Sequence, residues 1–245
     1  ELGFAEPDPT NDIKGFDARY KLVILTYLIT GNWLLPEQIT LEGIDHLKLA
    51  DFEYARRMGR EIKLIANLRL FEHGTQIYVL PLMIKKDEML AKISGSTNAV
   101  TLSGKFSEDI TLIGKGAGSL PTASAIVSDL NKVLRHPEPF PPPITSELVL
   151  ESMENIRFRH TLRFEVRDHP GIFGHIGGIF ERHSINISAL QQLPQYHRIG
   201  KEGDEIVIFT LTIQDCMEGL VIKAIKEINQ AEYMIKPVVL LREIV

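Results

Sequence analysis

Residues 137–143 read PEPFPPP, and no other stretch constrains the fold as strongly. Proline fixes φ and has no N–H to donate, so this run can enter neither a helix interior nor an inner strand. It predicts a semi-rigid spacer and marks the clearest domain boundary in the chain. A length of 245 residues suits one large or two ordinary domains. After the prolines, the apolar pattern predicts strand 158–167, helix 171–183, strands 185–191 and 206–213, helix 217–229 and strand 234–241. That order is βαββαβ, a ferredoxin-like sandwich.

Before the prolines the pattern is different. A helix is predicted from Phe16 to near Gly31, and a short extended piece at 39–41. A second helix is predicted over 49–58, stopped by Gly59. Two strands, 62–71 and 76–84, flank a turn at Glu72-His73-Gly74. The first carries Ile62, Leu64, Ala66, Leu68 and Leu70 on one face, which suits a sheet covered on one side. A short helix over 85–92 and strands at 98–104 and 109–113 follow. The last strand runs into GKGAGSLPTASAIVSDL, with Pro121 expected at the first position of a helix reaching about His136.

Two stretches carry chemistry. The first, EPDPTNDIKGFDARYK at 6–21, is turn-like as far as Lys14 and helical after Gly15. Asp17 and Lys21 are four apart and share a helix face. Asp17 lies in the first turn, where the helix dipole favours an anion. Lys21 precedes the apolar run Leu22–Leu25, so it is expected at the edge of a buried segment, where a desolvated amine can exchange a proton. Taken alone, such a pair is most often a surface ion pair worth about 0.3–0.5 kcal/mol. The second stretch contains Gly114, Gly116 and Gly118, whose backbone can approach phosphate or a flat ring closely. Taken alone, that turn more often just packs a small-residue helix onto a sheet.

The string LGFAEPDPTNDIKGFDARYKLVIL closely resembles the catalytic segment of the homoserine dehydrogenases, with Phe4 where many members carry Tyr. SGSTNAV and GKGAGSLPTASAIVSDL resemble that family too. The resemblance implies that Glu6 and Asp12 bind the substrate ammonium, that Asp17 orients the substrate and that Lys21 donates the proton. It implies that Gly116 and Gly118 lie near the nicotinamide of NADP or NAD. The chain would then be the C-terminal part of a longer protein whose Rossmann half, and whose monovalent-cation ligands, lie upstream. No GxGxxG follows a strand in the first hundred residues. Downstream, DHPGIFGHIGGIFERHSINISALQQ resembles an ACT domain. There Asp168, Pro170, Gly171 and Asn186 match the pattern that faces an amino-acid effector, although Asp168 could equally cap the helix. Gly177 and Gly178 suggest close packing, against a second copy among other options.

The fold class implied is α/β and α+β: a mixed-sheet catalytic domain with a strand–helix return to a Rossmann domain, then an ACT domain. The expected divisions are 1–105 catalytic and dimerisation, 106–136 return segment, 137–155 linker and 156–245 regulatory. The implied reaction interconverts L-aspartate 4-semialdehyde and L-homoserine, with threonine the first choice of effector, in a cytoplasmic homodimer or homotetramer. The competing reading is a non-catalytic, amino-acid-binding regulatory fragment.

Composition narrows the field. With 44% hydrophobic and 24% charged residues the balance is that of an ordinary soluble chain. A net charge of −5 and no basic stripe argue against nucleic acid as a partner. No apolar run nears the roughly 20 residues needed to span a bilayer. Cys216 is the only cysteine, which suits a reducing compartment. The eight histidines show no HExxH or cysteine-backed pair, so no metal site is expected. His160, His169, His175 and His183 are expected at the surface or an interface.

Overall fold

The computed structural model describes residues 8–135, 147–192, 197–200 and 205–244. Glu6 and the prolines of 137–143 lie outside them. The first half runs α1 (Thr10–Ile13), α2 (Phe16–Thr30), β1 (Thr40–Leu41), α3 (Leu49–Arg57), β2 (Arg60–Phe71), β3 (Gly74–Lys85), α4 (Met89–Lys92), β4 (Thr97–Gly104), β5 (Ser107–Lys115) and α5 (Ser119–Arg135). The second half runs β6 (Arg157–Arg167), α6 (Ile172–Arg182), β7 (Ile187–Gln192), β8 (Arg198–Ile199), β9 (Glu205–Met217), α7 (Glu218–Ile228) and β10 (Val239–Ile244).

The second half has strand order β10-β6-β9-β7, with α6 and α7 packed on the sheet. This is the expected ferredoxin-like arrangement. The inward residues of α6 are Ile172, Ile176, Ile179 and Phe180, at the i, i+4, i+7, i+8 spacing of one helix face. They meet Phe164, Phe209 and Leu211 from the sheet and Val221, Ala224 and Ile228 from α7.

The sheet does not stop there. β10 also pairs in parallel with β3, at Arg242 opposite Leu82, so eight strands from both halves form one sheet. β3 pairs along its whole length with β2 on one edge and shares the other edge between β1, at Tyr78–Val79, and β10. Pro81, which has no N–H to donate, falls between these two partners. Both faces of β3 are buried, not one. Ile77 and Val79 pack with Leu22, Val23 and Ile39, while Tyr78, Leu80 and Leu82 pack with Ala91, Ile156 and Phe158. A one-sided reading of β2 could not show this, because the second cover comes from residues far along the chain.

Several elements differ from the sequence expectation. The proline-containing turn before Lys14 closes into α1: Pro9 O accepts the Ile13 N–H at 2.9 Å, and just ahead of the helix the Asp8 carboxylate accepts the Thr10 N–H at 3.0 Å. The last strand begins at Val239 rather than 234. Met234 makes a single bridge to Val166, and Pro237 cannot extend the ladder. Pro121 is the third residue of α5, not the first. Residues 147–155 of the expected spacer are bound chain: Thr75 donates to Val149 O at 2.8 Å and Glu151 donates to Thr75 O at 2.9 Å. β4 and β5 form a separate two-stranded ribbon, and α5 buries none of its residues. Among the described residues, no helix is long and apolar enough to cross a membrane.

Candidate functional site

The site is built on the break between α1 and α2. Gly15 makes that break with φ +79, a left-handed conformation that favours glycine. Its space is also restricted: a Cβ there would lie 2.9 Å from Leu41 Cδ1 and 3.2 Å from Leu64 Cδ2. The chain therefore turns tightly against the sheet, and α2 starts at once with Phe16 and Asp17. Asp12 sits in α1, exposed, and its carbonyl accepts the Gly15 N–H at 3.1 Å.

Asp17 and Lys21 meet as expected. Lys21 Nζ lies 2.7 Å from Asp17 Oδ2, with the side chains 53% and 46% exposed respectively. The expected burial of Lys21 is not supplied by the described residues. Leu22 and Val23 turn inward, and Lys21 lies on the opposite face with the exposed Ile24 and Leu28. The arrangement is an open, charge-bearing helix stripe of Asp17, Lys21, Ile24 and Leu28. Among the described residues its ammonium is held by one carboxylate and faces outward.

The loop after β1 braces this turn from below. Ile44 donates to Ile13 O at 2.8 Å. A Cβ on Gly43 would fall 2.6 Å from that same oxygen and 2.7 Å from Lys14 Cα, so backbone lies directly on backbone. Glu42 and Gly43 carry no motif, and the sequence reading missed them.

The two other family-like segments of the first half come together at the base of the ribbon. Asn98 pairs with Gly114, and the Gly116 N–H donates to Ser96 O at 3.1 Å. A Cβ on Gly116 would meet Asn98 Nδ2 at 2.1 Å. Gly118 has φ +122 and opens α5, where its carbonyl accepts the Thr122 N–H. The result is a strip of bare backbone with the Asn98 amide beside it. Among the described residues, no hydrogen bond or ion pair joins this strip to the Asp12–Lys21 turn.

In the ferredoxin-like half, Gly171 has φ +93 and precedes α6, and its carbonyl accepts the His175 N–H. Asp168 donates its own N–H to Glu205 O at 2.7 Å, and no side chain caps the helix. The capping role is therefore not filled, and the Asp168 carboxylate is left exposed. Asn186 lies beyond the other end of α6. Eleven residues at about 1.5 Å each put the two ends roughly 16 Å apart. Asn186 lines a shallow cleft with Gly177, Glu181, Ser184 and Ile187. Nothing among the described residues comes within 4 Å of a Cβ on Gly177, so the close packing expected there is not made among them.

One histidine was misread. His160 is fully buried on β6, with Nε2 2.8 Å from Glu218 Oε2. Burial alone would raise the Glu218 carboxyl, but the His160 hydrogen bond and the Arg242 charge hold it below the ordinary carboxylate range. Cys216 is pushed up to about 11, chiefly by burial, so it stays a thiol.

Comparison with known proteins matches both halves. Residues 1–130 match the family model of homoserine dehydrogenase, and residues 160–230 match that of the ACT domain. A homoserine dehydrogenase of Pseudomonas aeruginosa is 33% identical over 98% of this chain and 57% of its own length. One of Neisseria gonorrhoeae is 33% identical over 98% of this chain and 56% of its own. A solved homoserine dehydrogenase of Thiobacillus denitrificans superposes with a TM-score of 0.83 at 32% identity, covering 99% of this chain and 56% of that one. The chain thus spans a little over half the length of each of these three relatives.

Proposed function

The chain belongs to the homoserine dehydrogenase family, and from that premise we propose that it carries the catalytic and regulatory part of a homoserine dehydrogenase. The reaction is the reversible conversion of L-aspartate 4-semialdehyde to L-homoserine with NADP or NAD. The observation that carries the proposal is the Asp17–Lys21 pair at 2.7 Å, held on the open face of α2 directly after the Gly15 turn.

The residues divide the work as follows. A bound nicotinamide would supply the hydride that adds to the aldehyde carbon. The alkoxide that develops needs a proton, and the Lys21 ammonium gives it, leaving a neutral amine that solvent reprotonates. Asp17 fixes the direction of that ammonium. Asp12, exposed one turn earlier, and Glu6 offer carboxylates to the substrate ammonium, which selects an amino acid over a simple aldehyde. Gly116 and Gly118 are assigned to the nicotinamide: the Asn98 amide fills the space where a Gly116 side chain would stand and offers a polar edge there, and Gly118 turns the backbone with φ +122 into α5.

The ferredoxin-like half fits an amino-acid sensor, with L-threonine the first ligand to test. Its two candidate elements, the Asp168–Gly171 turn and Asn186, lie at opposite ends of α6. A site that uses both therefore needs a second copy, which supports a homodimer or larger assembly.

The test is kinetic. Lys21→Ala in the full-length protein should lower kcat for homoserine oxidation by about 10²- to 10⁴-fold, the range for a lost general acid–base group, with an unchanged melting midpoint. A kcat near wild type would remove Lys21 from the mechanism. Glu6→Gln should instead raise KM for homoserine and leave kcat closer to wild type.

A further inference from the structure

We infer that Arg242, on the last strand of the ferredoxin-like half, is a positioning residue for the Asp12–Lys21 turn and acts on it through Glu42. The inference rests on the catalytic reading of that turn. Three contacts carry it.

First, Arg242 is a buried two-sided clamp, with its side chain 5% exposed. Its Nε and Nη2 reach Glu218 Oε1 at 2.9 and 2.7 Å. Its Nη1 lies 2.8 Å from Glu42 Oε2, off the line of a hydrogen bond, so that contact is an ion pair. Burial by itself would lower the guanidinium pKa, but the charges of Glu218 and Glu42 outweigh it and raise it. The arginine is thus a fixed cation between carboxylates from two halves of the molecule.

Second, Glu42 has little freedom of its own. Its N–H donates to Val79 O at 2.9 Å, on β3, and its other carboxylate oxygen lies 3.3 Å from His46 Nε2. Third, the residues after it touch the turn without any intervening side chain. Gly43 lies on Ile13 O and Lys14 Cα, and Ile44 donates to Ile13 O. A shift of the Glu42 carboxylate therefore moves the backbone that ends α1 and aims α2. Among the described residues, neither Glu42 nor Arg242 forms a hydrogen bond or ion pair with Asp12, Asp17 or Lys21.

The path runs from α7 through Glu218, Arg242, Glu42 and Gly43 to Ile13–Gly15, and it crosses between the halves. Its arginine also stands at the register position, opposite Leu82, where β10 joins β3. Any rearrangement that slides β10 along β3 would be read out at Asp12 and Asp17.

The decisive variants are Glu42→Gln, which keeps shape and removes charge, and Arg242→Met. In the full-length protein, hydrogen–deuterium exchange should become about tenfold faster in peptides covering residues 9–19, with exchange elsewhere and the melting midpoint of Glu42→Gln unchanged. KM for homoserine should rise several-fold while KM for the cofactor stays put, and Arg242→Lys should recover part of the loss. Exchange that is unchanged, or faster across the whole chain, would overturn the inference. So would two KM values that move together. The exchange readout needs no turnover. If the wild-type protein fails to oxidise homoserine, the functional reading falls and the exchange data still decide this one. Should Arg242→Met fail to fold, Glu42→Gln gives the answer alone.

Discussion

Arg163, on β6, and Asp51, in the first turn of α3, form a buried ion pair between the two halves of the chain, their side chains 3% and 1% exposed. A second contact, from Arg163 Nη2 to Asp51 Oδ2, measures 3.2 Å. Asp51 also accepts the Lys48 N–H at 2.8 Å and so caps its own helix. Arg163→Met leaves this carboxylate buried without its cation and should cost about 3–5 kcal/mol in stability. Adding Asp51→Leu should recover most of that, because an apolar pair of similar volume is often neutral. The recovery should fall short by the lost cap, about 0.5–2 kcal/mol. Urea titration of the three proteins checks both numbers, and a single variant as stable as wild type would show the pair to be idle.

Acid should unfold the protein through its buried carboxylates. Glu218 is held below its ordinary value of 4.5 despite burial, by the His160 hydrogen bond and the Arg242 charge, and Glu165 is lowered likewise despite burial, by Lys48, Arg198 and Lys236. A carboxyl depressed in the folded state stabilises above the unfolded value, and that contribution disappears as pH falls through the folded value. The urea midpoint should therefore drop as pH is lowered below about 4.5. Glu218→Gln should start lower at neutral pH and fall less steeply. Parallel curves for the two proteins would show that Glu218 is not the group responsible.

Gly15→Ala should cost about 1–2 kcal/mol from its left-handed backbone alone. The new methyl must also displace Leu41 or Leu64. Because the strain lies between Asp12 and Asp17, kcat should drop more than the loss of folded protein explains. Calorimetry paired with active-site titration separates the two effects.

Asp168 makes no helix cap, so Asp168→Ala should leave stability within about 0.5 kcal/mol of wild type. If its carboxylate faces an effector amine, half-inhibition by L-threonine should need a higher concentration. Wild-type sensitivity in this variant would exclude Asp168 from the effector site.

Much of this structure can be read from the chain because local signals agree with the fold. Gly31 and Gly59 stop their helices with φ +75 and +69, and the alternation in 62–71 and 76–84 yields one long hairpin. The Asp17–Lys21 contact follows from helix spacing alone. What stayed hidden depends on partners distant in sequence. His160 looks like any surface histidine until Glu218, 58 residues later, is packed beside it. Glu42 and Gly43 have no pattern, since their importance lies in the backbone they touch. The burial expected for Lys21 rested on its neighbours in sequence, but a helix turns those neighbours to the opposite face.

The junction of β10 with β3 bears on how such a protein could be rebuilt. A regulatory half joined only by a flexible tether could be cut off or exchanged for another sensor. Here the last strand of the ferredoxin-like half extends the sheet of the first half, and Arg60 and Arg242 hold Glu243 and Glu42 across the seam. Removing it would strip part of β3 of its neighbour and expose unpaired backbone and a row of buried aliphatic side chains, the kind of edge that recruits other chains. A chimera that keeps its own version of β10, with an arginine at the position of Arg242, should stay dispersed. One that ends at the spacer should aggregate.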